Sequence, residues 1–443
     1  MKDMPLHRKF FYYALPSVLS QLLNSCFIIV DGFFIGQNLG DVGLAAINVA
    51  WPITSLIQSA SLAIGVGGSV RMAMALGQND MQQARKARGN ALFTLVIAAV
   101  ILSVGLYFLS PYILPLIGAN EDLYPLSLEY IEVVCLLAAG QIINTGVLPL
   151  LRGSHQTVKA MMYTVVGLIS NIVLDWLFIQ EFHWGLGGAA FATALSHILC
   201  ALISVPTLLF QKKMSATLRE FIPDFGVIKG IIHFGIAPFG LSLSTSVIML
   251  VANVRALAYG GTQGVAIYAV LSYVLGAVIP LATGVGDGIQ PLLSYAKGAG
   301  NWHELAKLRK WGLMMVLSVA LGCSLITWVG RYQLPLLFGA SAEAAVKGAG
   351  AMWTLCLAYP FMGVVRFCSS YFCAVGQPLA SGILAYGEPL VAQPVALFAL
   401  PLFMQLTGVW VAYPAAVIVM AGVALFLLYQ QMEENPNPEA LPE

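Results

Sequence analysis

The chain has 443 residues, 59% of them apolar, with only 21 Lys+Arg and 20 Asp+Glu, so 9% are charged; a soluble domain has about 25%. So few charges cannot cover a soluble body of this length, and the mean hydropathy of +0.84 agrees. A soluble enzyme and a nucleic-acid binder are both excluded, and the net charge of +1 points to no acidic or basic partner.

In chain order, the first apolar run passes through Val30-Asp31 without a small-residue cleavage site, so it predicts a retained span, not a leader. A helix crosses the hydrocarbon core with about 20 apolar residues. Twelve runs qualify. Spans 1 to 6 fall at roughly 11–38, 48–76, 89–110, 124–150, 158–180 and 187–211. Spans 7 to 12 fall at roughly 231–259, 265–295, 311–330, 346–373, 379–404 and 407–430. The remainder suffices only for short loops. The expected fold class is therefore an all-α polytopic membrane protein. The seven cysteines all lie in apolar runs without a CxxC or Cys/His cluster, so they read as reduced packing residues.

Lys and Arg in the loops set the orientation. The side holding the termini and even-numbered loops carries clusters such as Arg85-Lys86-x-Arg88, Lys212-Lys213 and Lys307-x-Arg309-Lys310, whereas the other side carries Arg331 and Lys347. Both termini are expected in the cytoplasm, in a bacterial or archaeal cytoplasmic membrane.

The chain also repeats itself. An offset of about 221 residues lays Ala75–Lys86 over Ala296–Lys307, Gln156 over Gln377 and Gly43 over Gly264. The offset lays Pro16 over Pro238, and Gly65-Val-Gly67 over Gly284-Val-Gly286, within two residues. Each half then has six helices. Because six is even, the halves insert in the same orientation, related by a pseudo-two-fold along the membrane normal. The domain boundaries that follow are 1–212 for the first lobe, 213–230 for a cytoplasmic linker, 231–430 for the second lobe and 431–443 for a disordered acidic tail. The stretches 81–88 and 302–310, after spans 2 and 8, read as basic interfacial anchors.

Ionisable side chains inside spans are costly and mark function. Asp31, Arg71, Asp175, Arg255, Asp287, Arg366 and Glu388 qualify. Counting along spans 1, 5 and 6 at about 1.5 Å per residue puts Asp31, Asp175 and Thr193 at one level, roughly 8–10 Å below the outer face. Asn171, one turn before Asp175, shares its face. Two carboxylates, an amide and a hydroxyl are hard oxygen ligands for a small cation such as Na⁺. Two acids in a low dielectric are equally natural carriers of a proton. No Lys or Arg stands at that depth in the first half, and the repeat places no acid opposite Asp175. Arg366 and Glu388 both fall in the inner half of the membrane and predict an ion pair. Arg71 and Asp287, near the cytoplasmic ends of spans 2 and 8, predict a gate pair, and Arg255 is expected to snorkel.

These residues match a family. Ala14-Leu-Pro-Ser17, the run Val30-Asp31-Gly32-x-x-Ile35-Gly36-x-x-Leu39-Gly40, Ala45-Ala46 and Gln290-Pro291 resemble the multidrug and toxic compound extrusion (MATE) transporters. The resemblance covers nearly the whole chain. It implies a V-shaped pair of six-helix bundles acting as a monomer in lipid, without a cofactor. Such a protein exports amphipathic, often cationic, small organic compounds in exchange for H⁺ or Na⁺. The first-lobe cation site of the DinF-like members falls on Asp31, Asn171, Asp175 and Thr193, and their helix-1 hinge proline on Pro16. The NorM-like branch has acids in helices 7 and 10, where this chain has Asn253, Arg255 and Arg366. The resemblance is therefore closer to the DinF/MepA-like branches. A flippase for a lipid-linked precursor is the alternative, disfavoured because a pyrophosphate carrier needs cationic residues where this first lobe is acidic.

Overall fold

The computed structural model describes residues 4–117, 119, 123–211, 214–334 and 342–434. Residues 435–443 of the acidic tail, Lys212 at the end of the first lobe and Lys213 at the start of the linker lie outside them. The first half comprises α1 (Leu6–Gly77), α2 (Met81–Leu116), α3 (Tyr124–Gly153), α4 (Thr157–Asp175) with a π turn at Trp176–Glu181, and α5 (Gly185–Leu209). A short hairpin follows, β1 (Phe210–Gln211) against β2 (Met214–Ser215), and then a 3₁₀ turn at Leu218–Phe221. The second half comprises α6 (Phe225–Gly298), α7 (Trp302–Val329), α8 (Ala342–Ala374), α9 (Pro378–Gly387) with a π turn at Glu388–Ala392, and α10 (Gln393–Glu434).

Three long helices are broken where one residue leaves helical geometry: α1 at Gly40, α6 at Gly261 and α10 at Gln405. Divided at these points, with each π turn joined to its neighbours, the described helices make twelve crossings. Ten stretches among the described residues are long and apolar enough taken singly, and one of them, the 56-residue Pro378–Glu433, holds two crossings separated at Gln405. Residues 6–39 supply the remaining crossing.

The repeat is written into the backbone. Gly40 and Gly261 have φ of 60° and 57°, Asn79 and Gly300 have 59° and 68°, and His155 and Gly376 have 66° and 85°. The members of each pair are 221 residues apart. Left-handed backbone disfavours an L side chain by about 1–2 kcal/mol, so glycine fills most of these turns. The loop between the second and third crossings is built the same way in both halves. Asp80 caps α2 by accepting from the backbone N–H of Gln83 (2.9 Å), and Asn301 caps α7 by accepting from that of Glu304 (3.1 Å).

The chain packs as two compact units. One is Leu22–Leu243; the other is Met1–Gln21 together with Ser244–Glu443. The start of each half's first helix thus packs with the opposite half's helices, whereas the boundaries 1–212 and 231–430 follow the repeat alone. Glycines make the close approaches that this needs. In the first unit Gly65 backs onto Gly146 of α3, Gly67 onto the Ile231 carbonyl of α6, and Gly68 onto Ala91 of α2. A β-carbon at Gly67 would overlap that carbonyl. In the second unit the repeat partner of Gly67, Gly288, lies where a β-carbon would be 2.9 Å from the Tyr13 carbonyl and 2.8 Å from the Ser17 β-carbon. Small residues let helix backbones meet where lipid offers no hydrophobic drive between helices.

The stretch 81–88 is not simply a lipid anchor. Arg88 is fully buried (0%). Its guanidinium donates to both Glu220 carboxylate oxygens (2.9 and 2.8 Å) and to the carbonyls of Leu208 (3.0 Å) and Met214 (2.6 Å). Asn90 donates to the carbonyls of Glu220 and Ile222, and its own Oδ1 accepts from the N–H of Asp224. Lys86 closes the group with an ion pair to Asp224 at 2.6 Å. The linker is clasped to α2, because a buried guanidinium requires partners for its donors.

Candidate functional site

Within the unit Leu22–Leu243, three helices supply the polar side chains singled out from the sequence: Asp31 from α1, Asn171 and Asp175 from α4, and Thr193 from α5. Asn171 and Asp175 are both fully buried (0%). They share a face because they are one turn apart, and Asp175 is the last residue of α4 before the π turn. Such turns widen a helix by one residue and recur at functional positions. The Asn171 amide donates to the Thr193 hydroxyl at 3.4 Å. Asp31 and Asp175 lie within electrostatic reach of each other, and Tyr130 of α3 within reach of both.

The acceptors of this group are unfilled. Asp31 Oδ1, Asn171 Oδ1 and both carboxylate oxygens of Asp175 are buried without a hydrogen-bond partner. Neither acid takes part in an ion pair found among the described residues. Buried acceptors without partners are expensive. Two neighbouring carboxylates without a counter-charge call for a small cation held by oxygens, or for a proton. No group of three or more His, Cys, Asp or Glu that could hold a metal ion is found among the described residues.

Sequence reasoning passed over Tyr130, Asn144 and His197. Asn144 on α3 lies 3.0 Å from His197 Nδ1, and the imidazole packs 6.1 Å from the Phe27 ring. The signal was legible: His197 is an ionisable residue inside an apolar span, one turn beyond Thr193 on the same face.

The other predicted residues have these settings. Pro16 lies inside α1, and the Ser20 hydroxyl donates to its carbonyl at 2.7 Å. Arg71 donates to the Gly226 carbonyl at 3.3 Å. Asp287 accepts from Gln21 and from Ser370, each at 3.4 Å. Arg255 donates to the Leu397 carbonyl (3.1 Å) and the Tyr259 hydroxyl (3.3 Å), and stacks over Tyr259 and Phe398. Arg366 of α8 and Glu388 form a buried ion pair at 3.1 Å. Glu388 opens the π turn of the second half's fifth crossing, as Asp175 precedes that of the first. The two halves therefore each carry a buried acid at the π turn of their fifth crossing, at different depths. The repeat offset alone missed this correspondence.

The MatE family model matches residues 16–177 and 238–388. The chain belongs to the MatE family. Among curated relatives, it is 21% identical to the multidrug export protein MepA of Staphylococcus haemolyticus, over 97% of this chain and 94% of that one. It is 24% identical to the probable multidrug resistance protein YoeA of Bacillus subtilis, over 94% and 91%. A solved structure of a multidrug resistance MATE family transporter in its outward-facing conformation superposes with a TM-score of 0.92 at 24% identity, over 97% of both chains. The protein is thus a membrane transporter with the twelve-helix, two-lobe MATE fold, and not an enzyme.

Proposed function

We propose that this MATE protein is a secondary active exporter of amphipathic, often cationic organic compounds, driven by inward movement of H⁺ or Na⁺. The observation that carries the reading is the set of unfilled acceptors on Asp31, Asn171 and Asp175, buried in one unit with no basic partner. Asp31 and Asp175 would hold the ion, Asn171 would orient Asp175, and Thr193 would lend its hydroxyl oxygen. The names of the relatives, multidrug export proteins, support the substrate class.

The ion enters from outside and neutralises the carboxylates. The charge and shape that favour a cationic compound disappear, and the compound leaves. The ion then exits to the cytoplasm, and the free carboxylates recruit the next compound. Ion and compound must oppose each other, since coupling between two ligands is reciprocal. Alternating access takes place in the cytoplasmic membrane with both termini inside, and Pro16 serves as a hinge, because a proline frees backbone groups in its helix.

The test is efflux of a fluorescent organic cation from vesicles holding the wild type or Asp175→Asn. A pH gradient or a Na⁺ gradient is imposed one at a time. Efflux driven by one gradient and lost in the variant supports the exporter and names its ion. Efflux that ignores both gradients, or that survives unchanged in Asp175→Asn, rejects it.

A further inference from the structure

We infer that His197, held by Asn144, is a second proton-binding station of the transport path, one helical turn from the carboxylate group. The inference rests on the exporter reading but names a residue outside the acid set.

Three observations carry it. The first is the hydrogen bond. Asn144 Nδ2 stands 3.0 Å from His197 Nδ1, a contact in which the amide donates to the lone pair of a neutral imidazole. The second is the other end of the same amide. Asn144 Oδ1 is buried with no partner. If the amide turns over, that oxygen takes the place of Nδ2 and accepts a bond from Nδ1–H. Both the imidazolium and the neutral Nδ1–H tautomer offer that donor. One asparagine can therefore hold the ring in either charge state by turning its amide over.

The third observation is position. His197 follows Thr193 by one turn on α5, and Phe27, whose ring meets the imidazole, precedes Asp31 by one turn on α1. The Asn144–His197 pair thus forms a layer about 6 Å along the helix axis from the carboxylate layer. A proton taken from water onto the ring creates an imidazolium at that layer and returns to water when the ring is released. At this spacing and an intermediate dielectric, a second positive charge weakens cation binding on the order of tenfold to a hundredfold.

The groups in contact with the ring, Asn144 and Phe27, are neutral. α5 packs on α3 and α4. Their titratable residues inside the spans are Tyr130, Glu132 and Cys135 on α3 and Tyr163 and Asp175 on α4, with Asp31 on α1 and Cys200 on α5 itself. Glu129 accepts from the Gly187 N–H at the start of α5, Glu181 lies in the π turn, and Arg152 and Lys159 lie at the opposite ends of α3 and α4.

The test measures the dissociation constant of ethidium for the purified full chain at pH 8 and pH 5, in the wild type, His197→Gln and Asp175→Asn. Glutamine keeps an amide for Asn144 but binds no proton in this range. The expected result is that the ratio of the two constants shrinks about tenfold or more in His197→Gln. A purely structural histidine would change both constants alike, so an unchanged ratio overturns the inference. So does a variant that binds no ethidium at either pH. Asp175→Asn is read separately: if it leaves the ratio at the wild-type value, the carboxylate reading fails, while the outcome for His197 still stands on its own arm.

Discussion

The two units each bury an acid at the π turn of a fifth crossing, and they treat it in opposite ways. In the second unit Glu388 is 1% exposed and bound to Arg366 at 3.1 Å. In the first, Asp175 is equally buried but has no basic partner among the described residues, and the charge within its reach is another acid, Asp31. A carboxylate with a resident guanidinium has its charge compensated, even though Glu388 binds Arg366 through Oε1 alone and its Oε2 is buried without a partner. A carboxylate without a guanidinium must acquire a proton or a cation each time it is closed off from water. On the proposed function, the acid beside the fifth crossing's π turn is structural in the second half and exchangeable in the first.

The largest effect comes from breaking the compensated site. Arg366→Met should lower the stability of the purified protein by about 3–5 kcal/mol, because it strands a buried charge. Adding Glu388→Gln should restore most of the loss, and thermal unfolding in detergent reads both. Equal losses in the single and double variants would show that Arg366 acts by packing and not by charge.

Next in size is the backbone contact that both units share. Gly67→Ala puts a β-carbon into the Ile231 carbonyl, and overpacking of that kind costs about 1–3 kcal/mol. Gly288→Ala, against the Tyr13 carbonyl, should fall in the same range, again by unfolding midpoint. If one glycine tolerates alanine and the other does not, the equivalence of the two packing units is broken.

Smaller still is the stability change at the exchangeable site. Asp175→Asn removes one unsatisfied acceptor and a repulsion between buried acids, so the midpoint should hold or rise, by up to about 1 kcal/mol, even as gradient-driven efflux is lost. Stability lost together with transport would mean that Asp175 is a structural acid like Glu388.

The smallest effect concerns the linker clasp, outside the membrane. The Lys86 ammonium beside Asp224, with the N–H groups of Val227 and Gly226, holds that carboxyl below its usual range. A carboxyl lowered in the folded state stabilises the fold above its ordinary value, near 4, and that contribution is lost as pH falls through the lowered value. The drop in unfolding midpoint between pH 6 and pH 3 should therefore be slightly smaller in Asp224→Asn than in the wild type. Both side chains are more than a third exposed, so the difference is modest.

Much of the architecture was legible because lipid imposes strict rules. Spans need long apolar runs, and the 221-residue offset that aligned loops in the sequence reappears in the left-handed residues Gly40 and Gly261 and in the caps Asp80 and Asn301. Depth counting along spans 1, 5 and 6 grouped Asp31, Asp175 and Thr193, since helical rise is constant. Arg88 was misread because its partner Glu220 lies 132 residues away. Nothing local tells a basic residue bound for a headgroup from one bound for a buried carboxylate. The repeat offset places no acid opposite Asp175 because it measures sequence position, whereas Glu388 answers to Asp175 through the π turn beside each of them.

The sequence by itself determined that this chain spans a membrane twelve times in two similar halves, and that acids stand inside the first. Those properties follow from composition, periodicity and rise per residue, which act along a single helix. Tertiary structure decided that the halves exchange the beginnings of their first helices at the glycines of α1 and α6. It also gave Glu388 a guanidinium and Asp175 none, and it set Asn144 against His197. Each of these depends on which side chains of distant helices meet, and the free energy of a buried polar group is set by that meeting and not by its own neighbours in the chain.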